Sequence, residues 1–199
     1  MNKSEDHRHK SAQEGRRCRR GGSSFNMHDL NHVFAELGLK EGYVFLDLGC
    51  GPGEYTIHAS KIIGDSGAVY AIDRSELNIA ELMQAARGEG LGNITAITSD
   101  ITGPLPIDDS CVDVSLLATV LHIPDVTRNS EKLCDEMRRV LKPKGRFVVI
   151  DCHKESRPFG PPLHRRLSAE EAIELMEKYG FKFLRQADLG YNYLIQFAK

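Results

Sequence analysis

The chain has 199 residues, 41% of them hydrophobic, and a formal net charge of −2. That is enough for one α/β domain with a full core and leaves no room for a second domain of ordinary size. The near-neutral balance argues against a nucleic-acid binder. No apolar run reaches the roughly 18 residues of a membrane span. The N-terminus also lacks the apolar stretch of a signal peptide. The cysteines, Cys18, Cys50, Cys111, Cys134 and Cys152, are odd in number, scattered and without a C-x-x-C pair. They read as reduced thiols in a cytoplasmic protein with no disulfide frame and no metal site.

Residues 1–24 hold seven Lys/Arg against three acids, a net of +4 on a body of −6. They are polar, rich in Gly and Ser, and carry no hydrophobic period. The expectation is a basic N-terminal tail before a single domain at 25–199. Its Gly21-Gly22-Ser23-Ser24 stretch supplies a hinge, and the Arg16–Arg20 cluster would fold over the carboxyl edge of the sheet as a lid. The plainer reading is a solvated extension.

From there on the pattern is periodic. Leu30, Val33, Phe34 and Leu37 recur at helical spacing, and Gly38 stands where a helix would stop. Residues 43–49 read as a buried strand and 54–63 as a helix. A strand at 68–73 precedes a helix over 75–87 with Ser75 as N-cap. Strands follow at 93–100 and 111–120, then a helix over 130–140 and a fifth strand at 145–152. A last helix begins at Ser168, with Glu171 completing a capping box. Residues 181–189 and 191–199 read as two strands joined by a tight turn. Alternating strands and helices imply an α/β fold: a doubly wound, mostly parallel sheet with helices on both faces. The tight terminal turn makes the final strand antiparallel.

The stretch FLDLGCGPGEYT, residues 45–56, carries the chemistry. An apolar strand ends in Asp47, and Gly49, Gly51 and Gly53 follow at alternate positions before a helix. A dinucleotide site wants G-x-G-x-x-G, with pyrophosphate on the helix N-terminus. Here Glu54 occupies the third-glycine place, and its carboxylate would repel a pyrophosphate. Asp73 ends the next strand, where an acid can accept both ribose hydroxyls. A ligand with a ribose, a positive charge and no phosphate fits, and S-adenosyl-L-methionine has all three properties.

With these residues the chain resembles the class I, seven-stranded S-adenosylmethionine-dependent methyltransferases over roughly residues 26–199, most closely the ubiquinone/menaquinone-type C-methyltransferases and small relatives. VFLDLGCGPGEYT resembles the family's first motif, and VYAID its acidic strand end. ITSDI, VDVSLLATVLHIP and MRRVLKPKGRFVVID resemble the later motifs. The resemblance implies a seven-stranded sheet and a donor that leaves as S-adenosyl-L-homocysteine. By the same resemblance Asp47, Cys50 and the Gly49–Gly53 backbone surround the methionine end, with Tyr55 a weaker contact. Asp73 takes the ribose hydroxyls with Arg74 beside it. Asp100 reaches the adenine amino group, Ile101 lies near the ring, and Ala118 lies under the sulfonium. Cys50 alternatively is only a small loop residue, and Asp100 only a turn former.

Three residues are the catalytic candidates. His122 ends ATVLHIP, where the family often has a histidine near the acceptor cavity; the alternative is a polar cap. Asp151 and His153 follow the fifth strand at the carboxyl edge, where open α/β sheets place ligands. The 153–168 loop is rich in basic residues, so an anionic acceptor could sit on Arg157, Arg165 or Arg166; a solvated loop is the alternative. The expected activity is in-line methyl transfer to a small molecule. A protein or RNA acceptor and a non-catalytic donor-binding protein are the competing readings.

Overall fold

A computed structural model describes residues 24–199. The basic tail, its hinge, its lid role and Cys18 lie outside the described residues, save Ser24 at the boundary. The chain enters through a short 3₁₀ turn, Ser24–Met27. The first helix is α1, Leu30–Leu37. Asp29 caps its start by accepting the Asn31 N–H at 2.9 Å, and Gly38 ends it in the left-handed region with φ 53°. Its apolar stripe, Val33, Phe34 and Leu37, is buried.

Strand β1 (Val44–Leu48) leads through the glycine turn to α2 (Glu54–Ile63). Then come β2 (Ala68–Asp73), α3 (Glu76–Gly88) and β3 (Ile94–Thr98). Strand β4 (Val112–Ala118) is followed by α4 (Pro124–Arg128), α5 (Ser130–Val140) and β5 (Leu141–Cys152). The chain closes with α6 (Ala169–Lys178), β6 (Lys182–Asp188) and β7 (Asn192–Ala198). Ser75 caps α3 as expected, and Ser168 with Glu171 forms the full capping box of α6.

The seven strands form one sheet in the order β3-β2-β1-β4-β5-β7-β6. β1 to β5 are parallel, and β7 runs antiparallel to both β5 and β6. One face is covered by α1 and α2, whose Phe34, Leu37, Tyr55 and Ile63 pack with Phe45, Val114, Val148 and Leu194. The other is covered by α5 and α6, where Leu133, Met137, Ala172 and Met176 pack with Leu46, Leu117, Val149 and Ile195. Arg146 of β5 locks α1 to the sheet by donating to the Leu37 carbonyl at 2.5 Å and to Gln196 Oε1 at 2.8 Å.

Three local differences from the sequence expectation have physical causes. β5 begins at Leu141, four residues early, because Lys142-Pro143-Lys144-Gly145 bulges against β4 instead of ending the strand; the register steps from Val112↔Leu141 to Val114↔Arg146. β4 stops at Ala118 because Thr119 turns into the left-handed region. Pro124 at a first helical position starts α4 within a stretch that reads as a plain connection.

The strand order reverses between β1 and β4, the last strand of the first half and the first of the second. A doubly wound sheet opens its ligand crevice there, at the carboxyl ends. The glycine turn after β1 and the segment ending in His122 after β4 both leave from this point.

Candidate active site

All three glycines of the turn have positive φ: 68° at Gly49, 55° at Gly51 and 89° at Gly53. Their neighbours differ. A Cβ on Gly49 would lie 2.8 Å from Val120 Cγ2, and one on Gly53 only 2.3 Å from Leu82 Cδ1. A Cβ on Gly51 would meet nothing within 4 Å. The outer glycines are therefore required by the protein's own packing, and the middle one borders open space, as a backbone that approaches a ligand must.

The turn is fastened to the end of β2. The amides of Gly49 and Cys50 both donate to the Ile72 carbonyl, at 2.7 and 3.0 Å. The Gly51 amide donates to Asp73 Oδ2 at 2.9 Å. Asp73 Oδ1 accepts the Ser75 amide at 2.8 Å and Asn78 Nδ2 at 3.1 Å. The carboxylate is thus aimed by the turn on one side and by α3 on the other, and it remains half-buried at the crevice. Arg74 beside it is exposed.

Asp47 is buried on β1, and its Oδ2 accepts the Thr56 hydroxyl at 2.6 Å. Burial lifts its carboxyl to about 7; the Thr56 bond opposes the shift and the nearby Asp73 charge adds to it. A buried acid beside the glycine turn, ionising readily when a cation approaches, suits a ligand that brings a positive charge. Cys50 is buried and burial raises its thiol well above the ordinary range, so it is a packed small residue rather than a thiolate.

Asp100 sits in an exposed turn after β3. Its Oδ1 accepts both the amide and the hydroxyl of Thr102 at 2.8 Å, and these bonds hold its carboxyl below the usual range. Ile101 is buried among Leu105, Ile107 and the β1–β2 core. Tyr55 is buried against Phe25, with ring centroids 5.1 Å apart at 80°. Ala118 is half-buried at the end of β4.

The structure brings two of the catalytic candidates into direct contact. Asp151, buried at the end of β5, accepts the His122 amide on Oδ2 at 3.0 Å. Its Oδ1 faces His122 Nδ1 at 2.8 Å and also takes the Cys152 amide at 2.7 Å. A carboxylate can only accept, so Nδ1 is the donor, and in the neutral ring the lone pair lies on Nε2. The His122 side chain keeps 16% of its surface exposed. His153 does not join them: its Nε2 faces Asp188 at 3.2 Å and its ring meets the edge of Tyr193.

The basic loop after β5 is organised inward. Arg166 is 6% exposed, and its guanidinium donates to the carbonyls of Phe159, Pro161 and Glu155 at 2.7, 2.8 and 2.9 Å and of His153 at 3.3 Å. It is a strut for the loop, with four hydrogen bonds to its carbonyls. Arg157 is paired with Glu155 at 2.7 Å and stacks over Tyr191. Of the three arginines expected to hold an anionic acceptor, these two are engaged within the protein.

Thr56, Asn78 and Thr119 are site residues that the sequence does not mark. Thr56 had one signal, its place on the first turn of the helix that follows the glycine motif. Asn78 and Thr119 had none: the Asn78 side chain reaches Asp73 only because α3 starts where it does, and the role of Thr119 comes from its backbone φ. Among the described residues no group of three or more His, Cys, Asp or Glu could hold a metal, and no helix is long and apolar enough to cross a membrane.

A seven-stranded sheet in this order with β7 antiparallel, a glycine turn after β1 whose third-glycine place is taken by Glu54, and an acid at the end of β2 fit a class I methyltransferase. Comparison with known proteins agrees: a methyltransferase-domain family model matches residues 39–186, and the chain belongs to that family. Demethylmenaquinone methyltransferase of Staphylococcus aureus (strain MRSA252) is 29% identical over 182 residues, covering 83% of this chain and 73% of that protein. A crystal structure of an S-adenosylmethionine-dependent methyltransferase from Aquifex aeolicus is also 29% identical, with a TM-score of 0.81 over 94% of this chain and 97% of the other. Geranyl diphosphate C-methyltransferase from Streptomyces coelicolor A3(2), solved with S-adenosyl-L-homocysteine, shares the fold at 18% identity and a TM-score of 0.69, over 84% and 78% of the two chains. The protein is an S-adenosylmethionine-dependent methyltransferase.

Proposed function

We propose that this methyltransferase acts on a small-molecule acceptor whose nucleophilic atom must lose a proton, and that His122, oriented by Asp151, removes it. The observation that carries this is the His122–Asp151 pair, with both carboxylate oxygens engaged and Nε2 left as the basic nitrogen. The demethylmenaquinone methyltransferase among the relatives supports a small acceptor.

S-adenosyl-L-methionine, when bound, supplies an electrophilic methyl group and a neutral leaving thioether. The chain supplies the rest. Asp73 would hold the ribose hydroxyls, and Asp47 with the Gly49–Gly53 backbone would hold the methionine end. Asp100 and Ile101 would border the adenine. Ala118, at the end of β4, would border the reacting centre. Alignment of donor and nucleophile is the main contribution, and proton removal is needed for a carbon acid or a phenol. His122 Nε2 would take that proton while Asp151 stabilises the imidazolium that forms. His153, tied to Asp188, lines the acceptor side without a proton-transfer role.

The test compares wild type with His122→Ala and Asp151→Asn. Labelled methyl transfer to a panel of phenols and hydroquinones is measured alongside donor binding. General-base loss should lower transfer on the order of 10²–10³-fold, with the donor dissociation constant within about twofold of wild type, since no donor contact is removed. Undiminished transfer by His122→Ala overturns the base assignment. Transfer only to a protein or RNA overturns the small-molecule reading.

A further inference from the structure

Thr119 follows the last residue of β4 and has a φ of +56°. Among the described residues the other non-glycine positions with positive φ are Ser110 and Lys144. Thr119 is the β-branched one, for which the left-handed region is a true outlier. Two bonds hold it there. Its amide donates to the Ile150 carbonyl at 2.7 Å, and its own Oγ1 donates to the Ala118 carbonyl at 2.7 Å.

The turn has a specific consequence. A strand advances about 3.3 Å per residue, so an extended continuation of β4 would carry His122 about 13 Å past Ala118. Ala118 opposes Ile150 in the sheet, so Asp151 lies only one residue further along β5. The chain must double back for His122 to reach Asp151, and the left-handed step at Thr119 begins that reversal. The same step seats Val120 in the space left by the missing side chain of Gly49. One strained residue thus stands between the donor turn and the catalytic pair.

Glycine would adopt this φ freely. Threonine is held there against strain, and strain of this kind collects at functional sites. A β-branched side chain has few rotamers, and its hydroxyl is anchored to the preceding carbonyl. We infer that Thr119 is a positioning residue: its stiff left-handed turn fixes the His122 ring on Asp151 in a single tautomer. The consequence for catalysis rests on the reading of His122 as the base; the positioning itself is read on the ring.

The experiment is ¹⁵N NMR of the histidine rings in the full chain, with S-adenosyl-L-homocysteine as the probe ligand, for wild type, Thr119→Ser and Thr119→Gly. Serine keeps the hydroxyl; glycine loses both hydroxyl and stiffness. Wild type and Thr119→Ser should show His122 as one Nδ1–H tautomer. Thr119→Gly should average the two tautomers, while its Tm stays within about 3 °C because relieved strain offsets the added freedom of the unfolded chain. If Thr119→Gly does not fold, Thr119→Asn, tolerant of the left-handed region but without branch or hydroxyl, carries the same expectation. A single Nδ1–H tautomer in the glycine or asparagine variant overturns the inference, as does averaging in the serine variant. An active His122→Ala beside an averaged tautomer in Thr119→Gly would overturn the base reading and leave the positioning standing.

Discussion

The Asp73 carboxylate accepts the Gly51 amide at 2.9 Å, joining the end of β2 to the middle of the glycine turn. One acid thereby does two things: it faces the crevice, and it shapes the loop that forms the crevice wall. Asp73→Ala removes both. Donor affinity should fall by about 1.5–3 kcal/mol, the range for a hydrogen bond to a charged group. Because the Gly51, Ser75 and Asn78 donors also lose their acceptor, the variant should lose thermal stability without ligand. Calorimetric titration with S-adenosyl-L-homocysteine and a melting curve check the two effects. An unchanged dissociation constant would refute the ribose assignment.

Asp47 makes stability depend on pH in an unusual direction. Its carboxyl has an ordinary value of 3.8 and is lifted to about 7 in the fold, chiefly by burial. Between those values the unfolded chain has released the proton and the folded chain still holds it, so rising pH favours unfolding. The contribution is greatest below about pH 4, declines between about pH 4 and 7, and is level above. It amounts to a few kcal/mol at most. Urea unfolding of wild type against Asp47→Asn at a series of pH values should show this slope in the difference between the two, since the other titrating groups are common to both. A cationic donor beside Asp47 favours the carboxylate, so binding near pH 6 should release a proton. Calorimetry in buffers of differing ionisation enthalpy reads that release directly, and Asp47→Asn should abolish it.

Arg166 is the structural centre of the loop after β5. Its four carbonyl partners come from a span of nine residues, 153 to 161. Arg166→Met would leave those carbonyls without their donor and should cost about 2–4 kcal/mol. Arg166→Lys should not restore the loss, because an ammonium lacks the planar fork that reaches several acceptors at once. Urea unfolding measures the stability, and trypsin cleavage after Lys154 and Arg165 reports the loosened loop. Equal stability of the arginine and lysine forms would show that charge alone, and not the fork, holds the loop.

Much of this architecture was legible in local sequence. The alternation of strands and helices, the caps at Ser75 and Ser168 and the glycine turn all depend on residues within a few positions of one another. What was not legible depends on distance in sequence. His122 and Asp151 could each be singled out from their place at a strand's end, but their contact spans 29 residues and exists because β4 and β5 are neighbours in the sheet. Arg166 looked like a surface cation because nothing local says that the loop will wrap around it. Thr119 looked like an ordinary strand residue because a left-handed φ on threonine is imposed by tertiary structure against local preference. The bulge over Lys142–Gly145 hid the start of β5 for the opposite reason: Pro143 and Gly145 are strong local stop signals that sheet pairing overrode.

The glycines of the turn separate stability from binding. Gly53 has a φ of 89° and a Cβ there would come within 2.3 Å of Leu82 Cδ1. Gly53→Ala must displace α3 or Leu82, and combines strain with overpacking; it should destabilise the fold by about 2–4 kcal/mol. Gly51→Ala meets open space at a φ of 55°. It should cost only about 1 kcal/mol in stability from the left-handed conformation. Its new methyl group, however, stands where the donor's methionine end is expected to lie, so donor affinity should fall at least tenfold. Leu82 is fully buried, so Leu82→Ala is costly by itself; placed on Gly53→Ala it should cost clearly less than alone, because it removes the clashing group, whereas on Gly51→Ala its full cost should add. Melting curves and titration with S-adenosyl-L-homocysteine for the three single and two double variants decide the matter. If Gly51→Ala binds like wild type, the open space beside Gly51 is not the donor site, and the methionine end must lie elsewhere along the crevice.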